Sequence, residues 1–249
     1  MSFPEKLTAV ILAGGKGRRL EPYTACVPKP LMPIGGRPIL EIVVEQLNYY
    51  GFRHIKMAVG HLSGLIEAYF GYGKKFGVQI DYSFENKPLG TVGPLSIIRD
   101  LNKNFIVLNG DLVTDLNFIN FFKFHIKEGN IATIGIYKKS IKIDLGVINL
   151  SNHKNITDYI EKPALQYYVS MGIYAFNKKI TEFIPKNKKY DFPDLINFLI
   201  KNKQKVSAYF FNGYWRDIGT HEEYRNVNEE FDAISHKIIK LRRIKSKRC

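Results

Sequence analysis

Long apolar stretches are missing. None of the 249 residues belongs to a run of about 18 apolar residues, so no transmembrane helix is expected. Cysteine is nearly absent: only Cys26 and Cys249 occur, far apart and without metal-ligand spacing. That excludes a disulfide framework and a thiolate metal centre, and leaves Cys26 as an inert thiol. Tryptophan occurs once, at Trp215. The amino-terminal stretch Met1–Gly15 lacks a basic n-region and a small-residue cleavage site, which predicts a soluble cytoplasmic chain. Internal repeats and low-complexity linkers are also lacking.

Acidic residues are the minority, 23 against 37 Lys and Arg, giving a formal net charge of +14. Such a field attracts nucleotides, sugar phosphates, nucleic acid or an anionic membrane surface without choosing among them. Much of the excess lies in Lys186–Lys189 and in the tail from Lys237 to Cys249, read as a solvated face and a loose tail. Nothing in the chain has the form of an RNA-binding aromatic motif or a recognition helix, so nucleic acid is not an expected partner.

Apolar periodicity predicts alternating strands and helices. Strands are expected at Leu7–Leu12, His54–Val59, Val78–Phe84 and Phe105–Leu108. Helices are expected from Ile39, after Pro38, to Gly51, and over Leu62–Phe70, Thr91–Leu101 and Phe118–Lys127. This β-α-β-α rhythm implies an α/β fold, a Rossmann-like, doubly wound and mostly parallel sheet with ligands beyond the carboxyl ends of its strands. The chemistry is then expected in loops 13–20, 84–91 and 109–115. Closely spaced strand candidates follow at Ile131–Tyr137, Gly146–Leu150, Ile156–Ile160 and Tyr168–Phe176. A strand at Val206–Phe211 lies between helices at Phe192–Lys201 and His221–Ile234. The second half therefore reads as mixed α+β, closing over an acceptor. One domain over residues 1–236 is expected, with a basic tail at 237–249.

The first loop runs from Leu12 through Ala13, Gly14, Gly15, Lys16, Gly17, Arg18 and Arg19 to Pro28-Lys29-Pro30. Glycines let backbone amides approach phosphate oxygens, and the cations around them neutralise a polyphosphate. The loop is neither a Walker motif nor a GxGxxG fingerprint. Taken singly, Asp111 and Asp217 are as readily turn residues as functional ones, and Arg18 and Arg19 read as solvated loop residues before catalytic ones.

In order, however, the segments resemble those of the sugar-phosphate nucleotidyltransferases: G-G-x-G-x-R-L with P-x-T and P-K-P at Gly14–Pro30, then Glu85–Thr91, Asn109-Gly110-Asp111, Glu161-Lys162-Pro163, Gly172-Ile173-Tyr174 and Trp215–Gly219. The resemblance implies a GT-A-like fold with a carboxyl-terminal sugar-binding portion. The implied activity joins a nucleoside triphosphate to a sugar 1-phosphate and releases pyrophosphate. Within it, Arg19 contacts the triphosphate, Lys29 the α-phosphate and Lys162 the phosphate of the sugar. Asp111 and Asp217 are the implied Mg²⁺ ligands, a pair of carboxylates suited to that ion. Backbone at Ala13, Gly14, Gly15 and Gly17, together with Glu85, Gly90 and Asp111, is implied to bind the nucleotide; Gly146, Glu161, Ser170 and Gly172 line the acceptor pocket.

A carboxylate such as Glu85 accepts from two guanine donors but from one uracil or thymine ring donor, which tilts the expectation toward GTP, with UTP, CTP or dTTP and glucose 1-phosphate as the alternative. Family members often carry Asn-Ala-Gly where this chain has Ser170-Met171-Gly172. Mannose, heptose and glucose acceptors all remain open. Arg18 and Lys16 stand at variable positions, and Trp215 is expected to pack and hold the Asp217 loop rather than stack on a base. The six histidines show no paired ligand spacing. A glycosyltransferase and a non-catalytic nucleotide-sensing module are the readings from other classes. Asn109-Gly110-Asp111 lacks the first aspartate of the usual glycosyltransferase metal motif, and a sensing module would bind without turnover. A homodimer is expected on general grounds, serving polysaccharide or glycan precursor supply.

Overall fold

The computed structural model describes residues 7–239. Its framework is a seven-stranded sheet whose first strand, β1 (Thr8–Ala13), is central and buried on both faces. The sequence TAVILA suits that position, since a strand covered on both sides carries apolar residues at successive positions. Chain order continues through β2 (Pro33–Ile34) and β3 (Arg37–Pro38), a short hairpin, to β4 (His54–Val59), β5 (Gln79–Phe84) and β6 (Asn104–Asn109). The remaining strands are β7 (Leu112–Thr114), β8 (Ala132–Lys142), β9 (Val147–Ser151), β10 (Asn155–Ile160), β11 (Ala164–Asn177), β12 (Val206–Phe211) and β13 (Trp215–Asp217). The helices are α1 (Ile39–Tyr49), α2 (Ser63–Phe70), α3 (Phe118–Glu128), α4 (Phe192–Lys201) and α5 (His221–Ile238).

The sheet order is β12-β8-β11-β6-β1-β4-β5. Strands β6, β1, β4 and β5 run parallel, β12 is parallel to β8, and β11 is antiparallel to both of its neighbours. The sheet is thus mostly parallel, with one inverted strand. Side-chain alternation sends Ala9 and Ile11 into one core with Leu40, Val43 and Leu47 of α1 and Phe118, Phe121 and Phe122 of α3. Val10 points the other way, toward Phe105, Leu195 and Leu199. A third core forms where Val227, Phe231, Ile234 and Ile238 of α5, at helical spacing, meet Leu20, Met32, Ile34 and Ile218. Gln46 of α1 is buried there and donates to Thr114 O (2.7 Å) and Ile238 O (2.6 Å), fastening α5 to β7.

The helix expected over Thr91–Leu101 does not form; only Gly93–Ser96 make a 3-10 turn. Val92 N and Gly93 N both donate to Tyr190 O, at 3.1 and 3.0 Å, and Pro94 has no N–H to give. The first amides of a helix need outside partners in any case; what ends the run is Asp100, which turns left-handed at φ 54° after only i→i−3 bonds, Leu95 N to Val92 O and Ile97 N to Pro94 O, have formed. At the other end, α5 runs to the buried Ile238, so Lys237 and Ile238 belong to the helix rather than to a tail. Ile239 follows as the residue after the helix, and the rest of the expected tail, 240–249, lies outside the described residues.

Candidate active site

The parallel strands β1, β4, β5 and β6 deliver their carboxyl ends to one edge, and the glycine loop leaves β1 there. Gly17 takes a left-handed φ of 65°, which a side chain would strain, and its carbonyl accepts from Thr24 Oγ1 at 2.9 Å. Gly14 O accepts from His61 N at 3.3 Å, which holds the loop beside the end of β4, and nothing lies within 4 Å of where a side chain on Gly15 would point. Ala13 is buried, the last residue of β1. Arg19 and Arg18 share a 3-10 turn, Arg18–Leu20, anchored by the buried Leu20.

The two aspartates meet through a pairing that joins distant segments. Gly110 N donates to Leu12 O at 3.0 Å, placing Asp111 beyond the end of β1. Strand β7 then pairs antiparallel with β13, with Asp217 opposite Leu112, and Ile218 N donates to Asp111 O at 3.2 Å. Lys29, only 9% exposed, enters from a turn between Pro28 and Pro30 and ion-pairs with Asp111 Oδ2. Asp111 Oδ1 is buried without a hydrogen-bond partner among the described residues. Burial raises the Asp217 carboxyl above its usual range, the charge of Asp111 adds to the rise, and Lys29 works against it. The Arg19 guanidinium nitrogens lie 3.2 Å from where a side chain on Gly219 would begin, so Arg19 borders the Asp217 loop. Arg19, Lys29, Asp111 and Asp217 are therefore one cluster at the mouth of the glycine loop.

Glu85 follows β5 and leans against Gly14, where an added side chain would collide with its Oε1. Its Oε2 accepts from Leu89 N at 3.0 Å, and burial raises its carboxyl while that N–H pulls it back. Gly90 has φ 82°, and a side chain there would meet Tyr190 O at 2.6 Å. Asp191 Oδ1 accepts from Thr91 N at 2.8 Å and completes this loop.

On the other side of β6, β11 breaks register with β8 between Ser170 and Tyr174. Ser170 Oγ is 3.0 Å from Tyr174 Oη, and Gly172, at φ 69°, packs against Asn109 beside the aspartates. Gly146, Glu161 and Lys162 lie farther out. Tyr159 covers Gly146 and donates to Glu161 Oε2 at 3.3 Å, and Lys162 follows β10 with a left-handed φ of 45°. No hydrogen bond or ion pair among the described residues ties Glu161 or Lys162 to the Lys29–Asp111 pair.

Two residues escaped the sequence reading. Glu223 Oε2 accepts from Gly219 N at 3.0 Å while Thr220 Oγ1 accepts from Glu223 N at 3.2 Å, a reciprocal cap that fixes the Asp217 loop. Thr-x-x-Glu is a local signal that could have found it. Asp191 had none, since its partner is 100 residues away.

Donor chemistry supports a divalent, oxygen-seeking cation at Asp111 and Asp217: two adjacent carboxylates, one with an orphaned buried oxygen. No cluster of three or more His, Cys, Asp or Glu occurs among the described residues, so substrate oxygens and water would complete the ion's shell. Trp215 is buried and donates from Nε1 to Met171 O at 3.0 Å, a packing role beneath β13.

Residues 8–233 match the Nucleotidyl transferase family. A UTP–glucose-1-phosphate uridylyltransferase from Synechocystis is 36% identical over 240 residues, covering 88% of this chain and 61% of the relative. A mannose-1-phosphate guanyltransferase from Schizosaccharomyces pombe is 32% identical over 231 residues, covering 88% and 62%. The chain thus spans about three fifths of the length of these curated relatives. The crystal structure of HddC from Yersinia pseudotuberculosis complexed with GMP-PN superposes with a TM-score of 0.68 at 26% identity, covering 90% of this chain and 99% of that one. The matched range takes in the glycine loop and both aspartate segments, and the chain belongs to the Nucleotidyl transferase family.

Proposed function

We propose that the chain transfers a nucleotidyl group from a nucleoside triphosphate to a sugar 1-phosphate and releases pyrophosphate. The observation that carries this is the convergence of Lys29, Arg19, Asp111 and Asp217 at the mouth of the glycine loop. Nucleotidyl transfer asks a protein mainly for charge neutralisation and alignment. Loop amides hold the phosphates, Arg19 faces the departing pyrophosphate, and Lys29 serves the α-phosphate. Asp111 and Asp217 would hold Mg²⁺, which supplies further neutralisation of the phosphate oxygens when bound. The acceptor phosphate already carries a nucleophilic oxygen, so no side chain has to remove a proton. Lys162 is assigned to the acceptor phosphate, with Gly146, Glu161, Ser170 and Gly172 around the sugar.

GTP is the proposed donor. Glu85 beside Gly14 offers a carboxylate at the base loop, and both a guanyltransferase relative and the GMP-PN complex are similar to this chain. UTP is the second reading. Leu89 N already occupies Glu85 Oε2, leaving Oε1 for a single ring donor, and the uridylyltransferase relative is 36% identical. Among the described residues no helix is long and apolar enough to cross a membrane. A cytoplasmic, homodimeric enzyme supplying nucleotide sugars for polysaccharide assembly is the setting proposed.

The test is pyrophosphate release with Mg²⁺, each nucleoside triphosphate in turn, and a panel of hexose and heptose 1-phosphates. Activity lost in Asp111→Asn and Asp217→Asn supports the assignment, and preference for GTP supports the Glu85 argument. Turnover with a pyrimidine triphosphate alone replaces GTP by the second reading. Nucleotide binding without pyrophosphate from any pair refutes catalysis.

A further inference from the structure

Asp111 and Asp217 lie together in a largely buried corner, and the chain supplies a cation of its own there. The Lys29 side chain is 11% exposed and pairs with Asp111 Oδ2, its one ion pair among the described residues. The backbone beneath it is fixed. Pro28 and Pro30 flank Lys29, Leu31 N donates to Pro28 O at 2.8 Å, and Met32 N donates to Lys29 O at 3.0 Å. Only the four-carbon stem is left to move. An ammonium is a point charge on such a stem and releases one oxygen for another readily, whereas a planar guanidinium grips a carboxylate with two bonds.

A divalent cation entering at Asp111 meets that ammonium. It has to share the carboxylate with a like charge in a site that screens poorly, or displace it. We propose that Lys29 is a built-in placeholder that keeps the metal site closed in the nucleotide-free chain, and that a triphosphate opens the site by drawing the ammonium onto its own oxygens. Metal and triphosphate then favour one another by a route additional to their direct contact, and the coupling is reciprocal. Removing the lysine should therefore improve metal binding to the nucleotide-free protein. This inference rests on the proposed reading of Asp111 and Asp217 as the metal pair.

The experiment titrates the nucleotide-free protein with Mn²⁺ and follows the free ion by electron paramagnetic resonance. Lys29→Met is expected to bind Mn²⁺ at least about tenfold more tightly than the unaltered chain, within the usual range of site-to-site coupling, and Lys29→Arg as weakly as the unaltered chain. Equal or weaker binding by Lys29→Met overturns the placeholder. Near-ultraviolet circular dichroism establishes that the variant is folded, and Lys29→Gln replaces it if it is not. Adding Asp111→Asn to the lysine variant separates the two ideas. If Mn²⁺ binding survives, the metal pair is misassigned and the placeholder falls with it. If binding is lost, yet Lys29→Met alone binds no better than the unaltered chain, only the placeholder fails.

Discussion

Acid should loosen this fold through one histidine. His125 of α3 is 1% exposed, with Nδ1 2.9 Å from Thr133 Oγ1 and Nε2 without a hydrogen-bond partner among the described residues. Burial pushes the imidazole down to about 4 from an ordinary 6.5. Because the folded value is the lower one, the unfolded chain binds the proton first as pH falls. The stability tied to the neutral ring is present above pH 6.5 and is lost progressively toward pH 4. Between pH 7 and pH 5 the loss works out at about 2 kcal/mol, rising to about 3 kcal/mol once the folded ring also titrates. Urea unfolding at the two pH values measures it, with His125→Phe as the comparison. The variant gives up the Thr133 hydrogen bond, about 1 kcal/mol at pH 7, but should lose about 2 kcal/mol less than the unaltered chain on acidification. The difference between the proteins cancels every other titrating group that the substitution leaves alone. Equal acid sensitivity in both would refute the reasoning.

Other substitutions probe the frame of the site. Gly90→Ala forces a side chain into a left-handed backbone and onto Tyr190 O, and should cost about 2 to 3 kcal/mol in urea unfolding; a change near zero would mean the loop has room to relax. Gln46→Ala leaves the Thr114 and Ile238 carbonyls without their buried donor, an expected loss of about 2 to 4 kcal/mol by thermal or urea melting, and less than about 1 would discount the α5 fastening. Trp215→Phe removes the bond to Met171 O and should destabilise by about 1 kcal/mol. As the sole tryptophan, two residues from Asp217, Trp215 should also change its emission when Mg²⁺ and nucleotide bind, and an unchanged spectrum at saturation would argue against binding there.

The parallel half of the sheet was legible because its elements announce themselves locally. Apolar runs at β1 and β6, the alternation in β4 and β5, and the helical spacing of α1 and α3 need no distant partner to be read. The strands β7 and β13 are three residues each and are defined by one another across about a hundred positions, so periodicity has nothing to register. That pairing is what sets Asp111 beside Asp217; motif resemblance named the aspartates without showing how they meet. The segment Thr91–Leu101 misled for the opposite reason, since its apolar spacing suits a helix while the backbone makes one 3-10 turn and reverses into the left-handed region at Asp100. Ordered segments also grouped Lys162 with Lys29, two residues that the fold holds on different structures, a cleft turn and the end of a hairpin.

The inverted strand β11 divides the labour of the molecule. Its last residues, from Ile173 to Asn177, are locked in register with β6 and share that strand's burial. Its first half leaves the core as an exposed ribbon with β8, set off by a register shift of two residues between Ser170 and Tyr174. An insertion, a deletion or a new side chain in the ribbon or in the β9–β10 hairpin therefore alters an exposed surface while the Lys29–Asp111 corner stays where it is. Changing the proposed sugar acceptor is, by this construction, a surface change, whereas the Asp111–Asp217 corner, tied to β1 through Gly110 N and Leu12 O, cannot be altered without disturbing the middle of the sheet.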